Sequence, residues 1–431
     1  MSLDDRSTRF LDISPYVSLP TDLQAPLQGD IRADVVIVGG GFTGLSTALA
    51  LHKAGVSAVV LERSFCGYGA SGRNAGHLTP TICKDLPTAN LLFGAETAAK
   101  LVRFADYCVE SAEHLFAEYG IDCDYQQSGN IMTVVHPSQE VRLRKATASA
   151  RALGARMHFI EPGEMRERGL PKAFLCGSLE EAGGTLHPGK FILGLRQAAL
   201  QRGIRIYEQT SVDRIQHGKP LRVMTPCGSV SADKLLMASN AYTPEIGKPG
   251  ERIVPLHVTL FETEPLSDEQ LAAIGGWQGR EGIYTAHESM ESYRLTAQRT
   301  IIGGSKNVQY FYDCQPRRHG GEADASKMSV INAFRERFPA LATLPIAHSW
   351  AGWIGMTMNF LPIVGRSPEH ESYYYSVGYN GHGWHEIICR KSVYLPTGPL
   401  RWMAVRGLLG VVNGIDRHID RKIRREGIGL I

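Results

Sequence analysis

The stretch VVIVGGGFTGLSTALALHKAGVSAVVLE, residues 35–62, decides the fold. It opens with a nearly continuous apolar run that is typical of a buried parallel strand. A glycine turn leads into a helical pattern that closes on Gly55, and a second apolar run follows. Strand, helix and strand in this order form one βαβ unit. Predicted helices and strands continue through the rest of the chain, so we expect an α/β protein.

Three glycines in the turn fit the pattern G-x-G-x-x-G. Gly39 permits the tight turn, Gly41 lets the backbone approach a pyrophosphate, and Gly44 lets the helix pack closely on the strand. The free N–H groups of the helix N-terminus would then face the phosphates. Glu62 ends the second strand 23 residues after Gly39, where its carboxylate can accept hydrogen bonds from an adenosine ribose. An acidic residue at this place disfavours the 2′-phosphate of NADP.

Two further glycine-rich loops bear on which dinucleotide is bound. The loop CGYGASGRNAGHL, residues 66–78, lets the backbone pass close to a large ligand, and its Ser71 and Arg73 can contact phosphate. Later, VGYNGHGWHE at residues 377–386 places glycines before a predicted helix, whose N-terminus could face the electron-rich end of a flavin. The glycine motif alone fits both NAD and FAD, so both stay open at this point.

Taken in order, these and other motifs resemble the FAD-dependent oxidoreductases of the D-amino-acid oxidase (DAO) family, with glycine and sarcosine oxidases as more distant relatives. The resemblance covers about residues 31–383. Several matches in the right order are more specific than any single motif. The matching stretches are GGGFTGLSTA, GYGASGRNAG, GGTLHPGKF, ASNAYTPEI, YRLTAQRTIIGG, WAGWIGMTMNFLPIVGR and GYNGHG.

The resemblance implies a Rossmann-type FAD-binding domain, of the glutathione-reductase-like kind, and a β-sheet-based substrate domain with the flavin ring at their interface. It also implies oxidation of the C–N bond of a small-molecule amine or amino acid. Hydride would pass to flavin N5, and the imine would hydrolyse to an aldehyde or oxo acid. Electrons would go on to oxygen or a quinone-type acceptor. Two alternatives remain: an NAD-dependent dehydrogenase on the same βαβ unit, and a non-catalytic, membrane-associated flavin-binding protein.

The predicted elements suggest a discontinuous domain organisation. Residues 1–30 are polar and contain three prolines, so we expect an extended lead-in. The FAD-binding domain is expected at 31–90, 150–240 and 345–395, the substrate domain at 91–149 and 241–344, and a basic C-terminal helix at 396–431.

The motifs and the resemblance together give the residues that are expected to contact FAD. They lie in the glycine turn, at the end of the second strand, in the 66–78 loop and in the later matching stretches. They are Gly39, Gly41, Phe42, Thr43, Gly44, Glu62, Arg63, Ala70, Ser71, Gly72, Arg73, Asn74, Ala75, Gly76, Asn240, Gly355, Met356, Gly381, His382 and Gly383.

Four residues are predicted to be catalytic: Arg73, His77, His382 and Arg294. By resemblance, Arg73 and His77 lie beside the flavin ring, where a cation would stabilise the reduced, anionic form. Arg73 could instead form a structural salt bridge, and His77 could attach the flavin covalently. His382 lies near the ring or binds loop backbone. Arg294 is a candidate for a substrate carboxylate, although strand alternation lets at most one of Tyr293 and Arg294 face the pocket.

Three aromatic residues are candidates for the pocket wall, and the alternative for each is a structural role: Tyr242, His257 and Trp353. By resemblance, Met356 and Thr357 lie where family residues approach the flavin, and the alternative for Met356 is core packing.

Two departures from the family pattern concern the electron acceptor and flavin attachment. Sarcosine-type oxidases carry a lysine over the flavin that promotes reaction with oxygen, but the matching stretch RTIIGG, residues 299–304, has apolar residues there. Lys306 is close by but out of register. Reaction with oxygen is therefore expected to be slower than with a quinone or dye. The stretch AGWIGM, residues 351–356, also lacks the cysteine that these relatives use for attachment.

Composition and charge exclude several classes of protein. The 431 residues are 43% hydrophobic and 21% charged, as in ordinary soluble proteins. No apolar run reaches the roughly 18 residues of a membrane span, and the N-terminus has no signal-peptide pattern, so a cytoplasmic location is expected. The net charge is only +3, and it comes from the C-terminal tail, so no nucleic-acid partner is expected.

The eight cysteines are scattered and form no C-x-x-C pair. We therefore expect buried, reduced thiols and no metal site.

The last 31 residues carry seven Lys or Arg against three Asp or Glu. Such a basic amphipathic helix could lie on the inner membrane surface and give peripheral membrane contact. The alternative is a helix that packs on the protein itself or on a partner subunit. Apolar residues recur at helical spacing at Leu408, Val412, Ile415, Ile419 and Ile423.

Overall fold

The computed structural model contains two large β-sheets with helices packed on them. The residues that it describes are 8–81, 86–247, 252–306, 308, 322–357, 360–380 and 414–426. The strands are β1 (Arg9–Leu11), β2 (Gly29–Val38), β3 (Ala58–Leu61), β4 (His77–Leu78), β5 (Asn130–Val134), β6 (Met157–Ile160), β7 (Cys176–Glu180), β8 (Gly184–Thr185), β9 (Arg205–Tyr207), β10 (Arg214–Gln216), β11 (Leu221–Thr225), β12 (Gly228–Met237), β13 (Val254–Thr263), β14 (Gly282–Thr285), β15 (Ser292–Leu295), β16 (Ile301–Gly304), β17 (Ile346–Met356), β18 (Ile363–Arg366) and β19 (Tyr373–Val377). The α-helices are α1 (Phe42–Lys53), α2 (Leu86–Phe93), α3 (Ala95–Tyr119), α4 (Glu140–Ala152), α5 (Pro162–Glu167), α6 (Pro188–Gln201), α7 (Thr243–Ile246), α8 (Asp268–Ala273), α9 (Glu322–Arg337) and α10 (414–426).

The first sheet is built around the predicted βαβ unit. β2 pairs in parallel with β3 on one side and with β12 on the other, and β3 pairs in parallel with β9. The strand order is β10-β11-β12-β2-β3-β9, and β19 pairs with β12 and β18. β3 is buried along its whole length, as expected for a parallel strand that is covered on both faces. The Rossmann-type domain is thereby confirmed.

Helix α1 covers this sheet together with α6. Leu45 and Leu49 of α1 lie in one buried cluster with Val60 of β3 and Leu195 of α6. Full burial of such a leucine contributes about 1.5–3 kcal/mol. The packing therefore fixes the start of α1 relative to the end of β2.

The second sheet has nine strands in the order β1-β17-β13-β16-β15-β14-β5-β7-β6. Its longest pairing is the antiparallel ladder between β13 and β17. A hydrophobic cluster with buried residues from β13, β15 and α9 stabilises it, and we call it the aromatic cluster after the six aromatic side chains that it contains. This cluster includes Phe261, Trp277, Tyr293, Phe334 and Phe338.

The N-terminal segment is more than an extended lead-in. β1 pairs in parallel with β17 at the edge of the nine-stranded sheet. Tyr16 and Leu27 are buried, and β2 already begins at Gly29. Residues near the N-terminus thus belong to both sheets.

The sheets divide the chain differently from the predicted domain bounds. β6, β7 and β17 were expected in the FAD-binding domain, but all three lie in the nine-stranded sheet. The reason is their pairing, since β7 is antiparallel to β5 and β6, and β17 is antiparallel to β13. Such long-range pairings leave no mark on local sequence.

Four of the five described cysteines, Cys66, Cys108, Cys123 and Cys176, are buried free thiols. Cys227 is exposed in the turn between β11 and β12, so the prediction of burial is wrong for this residue.

Helix α10 packs on the body of the protein. Ile419 and Ile423 pack with the aromatic cluster of the nine-stranded sheet, whereas Ile415 is exposed. Two residues of the predicted membrane-facing stripe are therefore unavailable to a membrane, and Leu408 and Val412 lie outside the described residues. Among the helices that are described, none has the length and hydrophobicity needed to cross a bilayer.

Candidate active site

A cavity of about 1260 Å3 lies between the two sheets. The glycine turn after β2 and the loop after β3 form one side, and residues of β13, β14 and β17 form the other. Sites for one drug-sized molecule usually measure about 300–1,000 Å3, so this cavity can hold a large cofactor and a small substrate.

The glycine turn leaves no room for side chains. Gly39 has a φ of +115°, and a Cβ there would lie 2.6 Å from the carbonyl oxygen of Ala238. A Cβ on Gly44 would overlap the carbonyl oxygen of Gly39. A Cβ on Gly41 would lie 2.8 Å from Ser71 Oγ and would fill the cradle in front of α1. Because first-turn amides lack partners within a helix, this end of α1 favours an anion.

Glu62 is held at the end of β3 by two backbone amides. Its Oε2 accepts a hydrogen bond from Gly40 N at 2.8 Å, and its Oε1 accepts one from Ser64 N at 2.9 Å. Burial raises the pKa of this carboxyl group, although both hydrogen bonds oppose the rise. Glu62 lines the cavity, and a carboxylate has further lone pairs for ribose hydroxyls.

Arg63 lies at the rim of the cavity, where Nη1 donates to Glu245 Oε2 at 2.5 Å. Its guanidinium lies 4.9 Å from the centre of the Tyr242 ring. Burial raises the pKa of Tyr242 to about 12. Tyr242 therefore presents a neutral phenol to the cavity.

The loop after β3 is tied together by its own side chains. Ser71 Oγ accepts a hydrogen bond from Phe42 N at 3.0 Å, which joins the loop to the start of α1. Asn74 Nδ2 donates to the carbonyl oxygens of Ala70 and Ser71, and its Oδ1 accepts from Gly76 N. The loop therefore has a fixed shape along the cavity.

Arg73 is 4% exposed, and among the described residues its guanidinium donates to two backbone oxygens and lies 4.6 Å from the centre of the Tyr68 ring. Nε donates to Tyr68 O at 2.6 Å, and Nη1 donates to Ala351 O at 3.0 Å. Trp350 Nε1 in turn donates to the carbonyl oxygen of Arg73 at 2.9 Å. Within the described ranges no carboxylate forms an ion pair with Arg73, so the salt-bridge alternative is not observed there. A fixed positive charge thus lies beside the cavity.

His77 lines the cavity next to Tyr284, with ring centres 4.5 Å apart. Nδ1 lies 3.0 Å from Asn130 Oδ1, and Asn130 Nδ2 donates to Leu78 O at 2.8 Å. Nε2 has no hydrogen-bond partner in the described part of the chain. The pKa of His77 is lowered to about 4, mainly by burial and also by the charge of Arg294, against the raising effect of Asn130.

Asn240 lies where β17 and β19 end beside the cavity. Its Oδ1 accepts a hydrogen bond from Gly378 N at 3.0 Å. A Cβ on Gly355 would lie 2.6 Å from the same oxygen, so this glycine allows the close approach. Met356, the next residue, lines the cavity, and Thr357 N donates to Asn380 Oδ1 at 2.6 Å.

Arg294 lies behind the loop after β3 and does not line the cavity. Its Nε donates to Ala75 O at 2.5 Å, and its Nη2 donates to Tyr16 Oη at 3.2 Å. Tyr293 is buried in the aromatic cluster, where its hydroxyl donates to Glu291 Oε2. Neither residue lines the cavity, whereas the neighbouring Ser292 does.

Most of the predicted site residues are brought together around this one cavity. Gly44, Gly72, Gly355, Arg294 and His257 do not line it, and Gly381, His382 and Gly383 lie outside the described residues. The predicted residues that line it are Gly39, Gly41, Phe42, Thr43, Glu62, Arg63, Ala70, Ser71, Arg73, Asn74, Ala75, Gly76, His77, Asn240, Tyr242, Trp353, Met356 and Thr357.

Among the lining residues that the sequence did not predict are two groups with polar or charged side chains. One is the segment Ala286–Met290 after β14, and the other is Arg142, Lys145 and Ser149 of α4. The α4 residues follow i, i+3 and i+7 spacing, which places them on one helix face. The sequence does not show that this face lies beside a cavity. The segment after β14 carries no recognisable motif at all.

The site fits flavin adenine dinucleotide. The Gly41 cradle and the N-terminal end of α1 suit the pyrophosphate, and Glu62 suits the ribose. The cavity continues past Arg73 and His77, where a flavin ring has space and a fixed cation nearby.

Comparison with known proteins agrees with this fit. Residues 34–387 match the family described as DAO, FAD dependent oxidoreductase. Gamma-glutamylputrescine oxidoreductase of Escherichia coli (strain K12) is 30% identical over 379 residues, covering 86% of this chain and 85% of that protein.

Two solved structures share the fold. L-proline dehydrogenase from P. horikoshii has a TM-score of 0.67 at 22% identity, covering 83% of this chain and 90% of that chain. Glycine oxidase from Geobacillus kaustophilus has a TM-score of 0.68 at 20% identity, covering 82% and 90%. Together with the family match over residues 34–387, these findings show that the chain belongs to the DAO family of FAD-dependent oxidoreductases.

Proposed function

We propose that this protein oxidises the C–N bond of a small amine or amino acid by hydride transfer to FAD. The observation that carries this proposal is the continuous cavity that links the dinucleotide turn to the nine-stranded sheet. It supports a cofactor at one end and a substrate at the other. The relative at 30% identity is named for an amine derivative, and the structural relatives are named for amino acids.

When bound, FAD supplies the hydride acceptor for the reaction. Arg73 is the residue placed to stabilise negative charge that develops next to it, because its guanidinium is fixed by Tyr68 and Ala351 and has no carboxylate partner among the described residues. This preorganised charge needs no rearrangement during the reaction. Mutation of such a group typically reduces the rate by about 100- to 1,000-fold.

His77 is the residue placed to bind the substrate nitrogen. Asn130 turns its Oδ1 toward His77, so Nδ1 carries the ring proton and Nε2 keeps a lone pair. Nε2 can therefore accept a hydrogen bond from the substrate N–H.

The substrate end of the cavity is mainly apolar. Leu256 and Val258 of β13 and Trp353 of β17 line it. Such a wall excludes water from the reacting C–N bond and strengthens the electrostatic effect of Arg73.

An anaerobic substrate screen tests the proposal. Purified yellow protein is mixed without oxygen with primary, N-methyl, cyclic and polyamine substrates and with amino acids, and the flavin absorbance is followed. We expect bleaching by at least one class. A colourless protein that binds NAD would support the nicotinamide alternative, and a yellow protein that no amine bleaches would support flavin binding without turnover.

A further inference from the structure

Helix α10 forms the outer support of one wall of the cavity. It lies beyond residues 34–387, which the family match covers. Asp416 Oδ1 accepts a hydrogen bond from Glu288 N at 2.9 Å, and Asp416 Oδ2 accepts one from Ser289 N at 2.8 Å. Both donors belong to the segment Ala286–Met290, which lines the cavity.

A second carboxylate of α10, that of Asp420, belongs to a buried ion-pair cluster beside this segment. Asp420 accepts hydrogen bonds from Lys306 Nζ at 2.7 Å and Arg337 Nη2 at 2.9 Å. His287 Nε2 lies 3.4 Å from Asp420 Oδ1. Glu291, just after the segment, binds the same Lys306 and Arg337.

The cluster around Asp420 is balanced without a metal ion. His287, Glu291 and Asp420 lie close enough together to hold one. However, the cations of Lys306 and Arg337 already bind both carboxylates. Burial alone would raise the pKa of Glu291, but these charges outweigh it and hold the pKa well below its usual range. Two anions and two cations therefore make a neutral, buried anchor for α10.

The other side of the segment is also held. The Glu288 carboxylate accepts a hydrogen bond from Arg142 Nη1, and Arg142 Nη2 donates to Ala286 O at 3.0 Å. Arg142 and Glu288 both line the cavity. The segment is thus held from two sides. Arg142 of α4 binds the Glu288 carboxylate and the Ala286 carbonyl oxygen, and Asp416 of α10 binds two of the segment's amides.

We propose that Asp416 of α10 is a positioning residue for substrate binding, because it holds the Ala286–Met290 wall in place. This inference rests on the proposed function, in which an amine occupies that end of the cavity. Asp416 itself does not touch the substrate. It is 5% exposed and acts through the two amides that it binds.

Asp416→Asn tests the proposal. Its amide keeps one acceptor oxygen but directs an NH2 group at a backbone N–H, so one hydrogen bond to the segment is lost. In anaerobic flavin reduction we expect the half-saturating amine concentration to rise roughly tenfold, the scale of one hydrogen bond to a charged group, while the limiting rate stays within about twofold. FAD content and the visible spectrum should not change.

His418→Ala is the matched control, because His418 lies on the exposed face of the same helix. It should leave the half-saturating concentration unchanged. Should Asp416→Asn fail to fold, Asp416→Glu keeps the charge, shifts the oxygens by one methylene and is expected to change the concentration in the same direction.

Hydrogen exchange separates this inference from the proposed function. Amides of residues 286–290 should exchange faster in Asp416→Asn than in the unaltered protein, with no change near residues 39–44. If no amine reduces the unaltered protein, the proposed function fails while the exchange result still tests the α10 support. Unchanged exchange or an unchanged half-saturating concentration in a folded, FAD-loaded variant would overturn the positioning role.

Discussion

Nδ1 of His77 lies 3.0 Å from Oδ1 of Asn130, and this pair joins the loop after β3 to strand β5 of the nine-stranded sheet. Asn130 is fully buried, and its Nδ2 is committed to Leu78 O. The amide orientation therefore sets the tautomer of His77. Since burial lowers the pKa of His77 to about 4, the ring is neutral throughout the physiological range.

The first prediction concerns the pH dependence of flavin reduction. In the unaltered protein, His77 should not titrate between pH 5 and pH 8, so no loss of rate through this residue is expected there. In Asn130→Asp, a carboxylate would face Nδ1 and raise the pKa of His77, because an opposite charge favours the protonated ring. The rate should then fall as the pH drops through this raised pKa, since protonation removes the lone pair on Nε2.

Anaerobic stopped-flow reduction from pH 5 to pH 9 measures this limb. His77→Phe serves as the reference, because it has no lone pair at any pH. We expect it to lose roughly tenfold in rate, the scale of one lost hydrogen bond to the substrate, and to retain FAD. Superimposable pH profiles for Asn130→Asp and the unaltered protein would contradict the role of His77.

The second prediction concerns Glu62. Removing its carboxylate in Glu62→Ala should weaken FAD binding by about 1.5–3 kcal/mol, the scale of hydrogen bonds to a charged group. Part of this loss comes from removing the hydrogen bond that Gly40 N donates to the Glu62 carboxylate at 2.8 Å. Flavin occupancy after extensive dialysis and fluorescence titration of the apoprotein measure the effect. Full occupancy in the variant would show that the ribose is bound elsewhere.

The third prediction concerns Gly41. A valine there would meet Ser71 Oγ and fill the cradle in front of α1, so Gly41→Val should yield protein without FAD. Gly163→Val is the matched control, because a Cβ on Gly163 meets only the end of Arg166 at 3.9 Å. The control should be yellow. Normal absorbance near 450 nm, roughly where flavins absorb, in Gly41→Val would mean that the pyrophosphate takes another path.

Local patterns predicted the parts of the fold that short stretches of chain determine. Apolar residues at helical spacing predict a helix over residues 95–119, and α3 has these bounds, with Gly120 ending it at a φ of 62°. The βαβ unit and its glycines were predicted for the same reason. β1 was missed, because its three residues gain their structure only by pairing with β17, more than 300 positions away.

Sequence motifs predicted part of the site. The parts that depend on long-range packing were not predicted. Alternation placed Tyr293 and Arg294 on opposite faces, but it could not show that Tyr293 binds Glu291 and that Arg294 binds Ala75 and Tyr16 instead of lining the cavity. Asp416 and Glu288 are 128 residues apart, and neither lies in a motif. Their contact follows from how α10 packs, which the sequence pattern does not reveal.

The fourth prediction concerns the buried charges under α10. Arg337 is 1% exposed and binds both Glu291 and Asp420, so Arg337→Met would leave two buried carboxylates with one cation. Breaking such a pair usually costs about 3–5 kcal/mol. Thermal unfolding of the holoprotein should show a clearly lower midpoint than for Arg425→Met, which removes an exposed arginine of α10. Adding Glu291→Gln should recover part of the loss, because one carboxylate is then neutral.

The last prediction concerns the electron acceptor. Lys306 is the lysine nearest in sequence to the place where sarcosine-type oxidases carry theirs, but its Nζ is bound to Glu291 at 2.8 Å and to Asp420 at 2.7 Å. Lys306 does not line the cavity. Moving its ammonium group toward the cavity would take a cation away from the buried carboxylates of Glu291 and Asp420. Arg73 is a fixed cation beside the cavity, but its donors are directed at backbone oxygens.

Oxygen takes electrons through a superoxide-like charge that a nearby free cation stabilises, so we expect slow reaction with oxygen. Reduced enzyme mixed with air-saturated buffer in a stopped-flow instrument should reoxidise at least about tenfold more slowly than with an artificial quinone, since one missing electrostatic contact is worth that much or more. A quinone accepts electrons without needing that charge at the same position. Reoxidation by oxygen as fast as by the quinone would mean that Arg73 or His382 supplies the charge, and Arg73→Lys, which moves the cation, would then be the variant that separates them.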